Sequence, residues 1–63
     1  MPIITIQMIE GRTLEQKREL VKAITDDVVR IAKTNPERVQ VFMTEYPKTN
    51  VSRQGILRID NDQ

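Results

Sequence analysis

The chain has no cysteine, no histidine and no tryptophan. Without thiols there is no disulfide, and without thiols or imidazoles the common zinc sites and the nucleophilic triads are closed off. Carboxylates alone could hold a hard cation, but they show no loop-like clustering. The only glycines are Gly11 and Gly55, too few for a glycine-rich phosphate loop. Aromatic residues are reduced to Phe42 and Tyr46, and ten basic residues are interspersed with nine acidic ones. A nucleic-acid surface wants a basic stripe and usually stacking rings, and neither is present. No apolar run reaches the ~18 residues of a membrane span. The Met-Pro-Ile-Ile-Thr-Ile start lacks the charged region and long apolar stretch of a signal peptide. The expectation is a soluble, cytoplasmic protein without metal or cofactor, binding neither nucleic acid nor membrane.

What is present is one domain, residues 1–63. A monomer of this size buries too small a fraction of its surface to be comfortable alone. With disulfides and metals gone, association is the remaining support, so an obligate oligomer is expected.

Pro2 to Ile9 is rich in β-branched residues and reads as a strand. Ile4, Ile6 and Met8 point one way, and Ile3, Thr5, Gln7 and Ile9 the other. Glu10-Gly11-Arg12 is a turn. Thr13 then opens a helix with a capping-box signature in which Gln16 reaches back. Leu14, Leu20, Val21, Ile24, Val28, Ile31 and Ala32 follow helical spacing and predict a single buried stripe. Asp26 and Arg30 form an i,i+4 pair. Asn35-Pro36 ends the helix, because proline disfavours helical geometry in the residue before it. Val39 to Tyr46 is a second strand, with Val39, Val41 and Met43 on one face and Gln40, Phe42 and Thr44 on the other. Pro47 to Asn50 is a turn, Val51 to Gly55 a polar loop or short hairpin, Ile56 to Ile59 a short third strand, and 60–63 a frayed tail. The fold class is therefore α+β: a βαβ unit with two parallel strands, one right-handed crossover helix and a short C-terminal hairpin or strand. Exposed strand edges invite extension of the sheet by dimerisation.

The inventory for chemistry is thin. Pro2 is its most informative member, because removal of Met1 leaves a free secondary amine on a rigid ring. A free α-amino group titrates at about 8 in model peptides. Apolar surroundings and nearby guanidinium groups disfavour its protonated form and lower that value towards neutrality. Such a base can take a proton from one carbon and return it to another. An arginine beside it would bind a carboxylate bidentately and stabilise a developing enolate. Arg12, just after the first strand, can reach a neighbouring subunit's site; it can equally make a structural ion pair across an interface.

Pro2-Ile3-Ile4, the Glu10-Gly11-Arg12-Thr13 turn with Glu15-Gln16-Lys17, and Val41 to Glu45 with Pro47-Lys48 together resemble the 4-oxalocrotonate tautomerase family. The resemblance covers about the first 50 residues. It implies short βαβ subunits in a homohexamer, a trimer of dimers, acting as an isomerase in aromatic catabolism. It makes Pro2 the general base that moves a proton in a small enol or dienol carboxylate of the 2-hydroxymuconate kind. Arg12 matches the arginine that binds the substrate carboxylate from an adjacent subunit, and Ile9 stands where a backbone amide meets the substrate. Two positions depart from the pattern. Gln40 stands where well-studied members carry a second arginine, so it offers one hydrogen bond and no charge; Arg38 lies two positions earlier. Val51 replaces an aromatic wall with a smaller apolar one, and Arg53 follows where a second guanidinium can reach the pocket mouth. The alternatives are a cofactor-independent hydratase or dehalogenase of the same superfamily, or a non-catalytic oligomerising subunit. Mass analysis of the N-terminus of protein taken from its native cell should find Met1 removed. Retained Met1 would leave the Pro2 nitrogen an amide with no basic lone pair.

Overall fold

Alternation of side chains about a parallel ladder sets the fold. The computed structural model describes residues 1–61. Strand β1 (Ile3–Ile9) and strand β2 (Gln40–Tyr46) pair in parallel, with Ile3 opposite Gln40 and Ile9 opposite Tyr46. Helix α1 (Leu14–Ala32) crosses between them. Ile4, Ile6, Met8, Val41, Met43 and Glu45 are half-buried on the helix side, while Ile3, Thr5, Gln7, Gln40, Phe42 and Thr44 are exposed on the other. Strands β3 (Ser52–Arg53) and β4 (Ile56–Leu57) form a separate antiparallel hairpin. The βαβ unit and its C-terminal hairpin are as the sequence predicts.

Thr13 caps α1 as expected. Its hydroxyl accepts from the Gln16 N–H at 3.1 Å, and the Gln16 side chain accepts from the Thr13 N–H at 2.8 Å. The other end differs. Lys33 adopts left-handed geometry (φ 58, ψ 52) and its N–H donates to the Val29 carbonyl, so the helix stops before Asn35. Asn35 is extended, as a residue before proline should be, and it leads into a 3-10 turn over Pro36–Arg38 that feeds β2.

The expected single buried stripe is not formed: no residue of α1 is buried. Val21, Ile24 and Val28 are half-buried, whereas Leu14 and Ile31 are 61% and 67% exposed. Two strands about 4.8 Å apart are narrower than a helix roughly 10 Å across. One flank of the stripe therefore overhangs the sheet. The predicted Asp26–Arg30 pair is also replaced. Lys22 takes Asp26 at 2.9 Å, and Arg30 turns to Asp27 at 3.2 Å. Helical side chains lean towards the N-terminus, which brings Asp27 at i−3 within reach of Arg30.

The third strand is shorter than predicted. Ile56–Leu57 is extended, but Arg58–Asp60 coils into a 3-10 turn, so Asp60 is not frayed; Asp62 and Gln63 lie outside the described residues. The hairpin turns at Gln54 and Gly55, with φ of 55 and 78. Two successive positive φ values match the right-handed twist of a tight hairpin, and only Gly55 adopts one without cost.

No residue among those described is buried. The radius of gyration is 14.8 Å, against roughly 11 Å for a compact domain of this length. Ile3 and Phe42 are more than half exposed on the open sheet face, next to uncharged Thr5, Gln7, Gln40 and Thr44. This face carries no charged side chain.

One polar tie clamps helix to sheet. Lys17, on the Val21–Ile24–Val28 side of α1, donates from Nζ to Glu45 Oε1 at 2.6 Å, with both side chains under a third exposed. Unfolding by denaturant of Lys17→Met, Glu45→Gln and the double variant should return a coupling of about 1 kcal/mol. A coupling of zero would make the contact a solvated one that adds nothing to helix docking.

Candidate active site

The ladder decides which backbone groups remain available. The Gln40 N–H donates to the Pro2 carbonyl at 3.0 Å at one end, and the Glu10 N–H to the Tyr46 carbonyl at 2.9 Å at the other. In a parallel pair alternate residues of each strand bond to the partner and the intervening ones face away. Even-numbered residues of β1 face β2, so Ile3, Thr5, Gln7 and Ile9 direct their amides and carbonyls to the open edge. Ile9 is the last of them. Its carbonyl accepts from Arg12 Nη1 at 3.4 Å, across the turn that Gly11 makes at φ +129.

Beside Ile9 lies a hollow of about 410 Å³ whose walls include Gln7, Ile9, Tyr46, Asn50, Val51 and Ser52. The 3-10 turn Lys48–Asn50 carries Val51 across from the Ile9–Tyr46 pair. Ile9, Val51 and Arg12 thus lie at the C-terminal end of the sheet. Tyr46 and Asn50 were not among the predicted site residues. The alternation that puts Tyr46 on the Gln40–Phe42–Thr44 face was the signal that could have found it.

Pro2 and Gln40 occupy the opposite end. Pro2 is half-buried, with its carbonyl held by Gln40, and the Gln40 side chain lies exposed across from Ile3. Seven residue steps separate Pro2 from Ile9, about 23 Å of extended chain. Within one subunit the structure brings Pro2 to Gln40 and Arg12 to Ile9 and Val51, but does not bring the two groups together. Carbon acid chemistry at Pro2 with a carboxylate on Arg12 needs ends supplied by different chains.

The cations divide into two kinds. On α1, Arg18 pairs with Glu15, Lys22 with Asp26 and Arg30 with Asp27. Arg12, Arg38 and Arg53 make no ion pair among the described residues. No group of His, Cys, Asp or Glu among the described residues could hold a metal ion. None of their helices is long and apolar enough to cross a membrane.

A short βαβ chain with this C-terminal hairpin is the fold of a class of small enzymes, the tautomerases. The family model for tautomerase enzymes matches residues 2–57. The chain belongs to that family, within its 4-oxalocrotonate tautomerase group. It is 40% identical over 58 residues to a probable tautomerase of Streptococcus pyogenes serotype M3, covering 92% of this chain and 95% of that one. Among solved structures it is similar to 4-oxalocrotonate tautomerase isozymes from Methylibium petroleiphilum, with 38% identity, TM-score 0.92 and 97% and 95% of the two chains covered. It is also similar to a heterohexameric 4-oxalocrotonate tautomerase from Chloroflexus aurantiacus, with 30% identity, TM-score 0.89 and 95% and 97% covered.

Proposed function

We propose that the protein, a tautomerase-like enzyme of the isomerase type, uses the Pro2 ring nitrogen as its general base. The observation that supports this best is the position of Pro2 at the head of β1, where its carbonyl is pinned by Gln40 while its nitrogen lies outside the ladder. Met1 is 79% exposed and open to an aminopeptidase. Once it is removed, the nitrogen is basic and already oriented by the strand.

The substrate is a small enol or dienol carboxylate. Its carboxylate is held by Arg12 of a neighbouring subunit, whose guanidinium makes no ion pair among the described residues. The Ile9 amide on the open strand edge donates to a substrate oxygen. Val51 walls the apolar middle, and Gln40 offers a neutral donor beside Pro2. The uncharged nitrogen accepts one proton from the substrate and returns it at a different carbon. The enolate is stabilised in between by Arg12 and the amide. Atoms balance without a redox partner, and no cofactor is required.

The assembly that brings these ends together is a homohexamer built as a trimer of dimers, in the cytoplasm. Its support is the absence of a buried residue among those described and the uncharged outer sheet face. A role in aromatic catabolism follows from the substrate class.

The test is the Pro2→Ala variant, with Met1 removal confirmed by mass, assayed for ketonisation of 2-hydroxymuconate and of phenylpyruvate enol. A primary amine keeps some basicity but loses the rigid ring, so a fall of roughly 10²-fold or more in kcat/KM is expected, the range of a positioned general base. Unchanged kcat/KM would remove Pro2 from the chemistry and favour the hydratase, dehalogenase or non-catalytic readings.

A further inference from the structure

The open sheet face changes character at its C-terminal end. Its residues are exposed as far as Gln7 on β1 and Thr44 on β2, and the alternation then breaks at Ile9 and Tyr46, which are both half-buried. These two are partners in the ladder, and Asn50, Val51 and Ser52 close the hollow beside them. The Tyr46 backbone is held from three directions. Its carbonyl accepts from the Glu10 N–H at 2.9 Å, Ile9 stands opposite it, and Pro47, which has no N–H, follows where the strand ends. Its phenol hydroxyl, by contrast, makes no hydrogen bond among the described residues. Asn50 on the same wall is oriented by the Thr49 hydroxyl, which donates to its Oδ1 at 3.0 Å. No described residue lining the hollow is charged, and Arg12 reaches only to its rim, at the Ile9 carbonyl.

Resting on the Pro2 reading above, we infer that Tyr46 is a specificity-determining residue whose hydroxyl donates to an uncharged oxygen at the far end of the substrate. The enzyme thereby selects an enol monocarboxylate whose tail ends in a hydroxyl or carbonyl group. The carboxylate stays on Arg12 at the rim, and the tail runs past Ile9 and Val51 to Tyr46. A phenol hydroxyl has one hydrogen to donate, which matches a neutral oxygen. A second carboxylate would leave water for a hollow that offers it no cation, at a cost that one neutral donor does not offset. A methyl tail would strip water from the hydroxyl and return no hydrogen bond. Both mismatches are penalised, so a single hydroxyl discriminates against tails that are too polar and tails that are not polar enough. With the backbone fixed by the ladder, binding orders only the two side-chain torsions of the tyrosine. Tyr46 touches the substrate but moves no proton, so it acts on affinity and leaves the chemical step alone.

The experiment compares equilibrium binding of sorbate, 6-hydroxysorbate and trans,trans-muconate, by calorimetry on the Met1-processed protein. These six-carbon dienes end in a methyl, a hydroxymethyl and a carboxylate group, and none has the enol hydroxyl needed for turnover. The unaltered protein should bind 6-hydroxysorbate roughly threefold to tenfold more tightly than sorbate, the net worth of a neutral hydrogen bond. It should bind muconate less tightly than 6-hydroxysorbate. Tyr46→Phe keeps the ring, and it should bring the 6-hydroxysorbate-to-sorbate ratio to one while leaving sorbate affinity unchanged. Sedimentation confirms that the variant keeps the parent's assembly. A ratio that persists in Tyr46→Phe, or that is absent from the unaltered protein, overturns the assignment. Muconate bound at least as tightly as 6-hydroxysorbate overturns it too. Pro2→Ala separates the two readings: it should lose turnover and keep the binding ratio. Failure of the Pro2 reading alone would spare that ratio, and failure of the Tyr46 reading alone would spare the loss of turnover.

Discussion

The parallel ladder between Ile3–Ile9 and Gln40–Tyr46 is the constraint on which everything else rests. It commits one set of alternate backbone groups to the pairing and turns the other set, Ile9 included, to an open edge. It also holds Pro2 and the Ile9–Arg12 corner at opposite ends of one stiff strand. A site that needs both cannot be made by folding a single chain. On the proposed mechanism, oligomerisation, which would otherwise be a remedy for a domain with no buried residue among those described, becomes part of the chemistry.

The distribution of charge fits the same division. Cations on the exposed helix face are neutralised by neighbours three or four residues away, and such solvated pairs add little to stability. Lys17 and Glu45 do something different, tying the start of the helix to the end of β2 at the level where the site's walls begin. Arg12, Arg38 and Arg53, which make no ion pair among the described residues, lie off the helix, at the β1 turn, before β2 and at the hairpin tip. Interspersed charge in the sequence conceals this order, since net charge and local spacing are the same for paired and unpaired guanidinium groups.

Much of the fold is legible in the residues because its signals are local. Thr13 and Gln16 lie one turn apart and cap each other as their types require. The alternation of Ile3 to Ile9 assigns each side chain to a face before any partner is known. Where several residues compete, the reading goes wrong. Arg30 has two aspartates in reach and takes the one that Lys22 does not. Lys33 ends the helix through a left-handed turn that its side chain does not announce, ahead of the Asn35-Pro36 signal. Gln54 enters positive φ although glutamine is no turn former, because Gly55 and the strand twist carry it. The overhanging Leu14 and Ile31 were read as core because periodicity reports that a face is apolar, not what covers it. Of the candidate site, Pro2 and Arg12 are visible by type, whereas Ile9, Gln40 and Val51 enter only through the family resemblance. That they form two separated groups depends on the strand's length and direction, which no single position encodes.

Complementation between inactive subunits tests most directly whether one site draws on two chains. Pro2→Ala and Arg12→Ala chains, each inactive alone, are mixed in equal amounts, unfolded together and refolded. Sites that take Pro2 from one chain and Arg12 from another should recover about one quarter of the parent activity, since random mixing leaves each contribution intact in half of the cases. Recovery of none, with both variants assembled as the parent is, would place Pro2 and Arg12 of the same chain in one site and contradict the account.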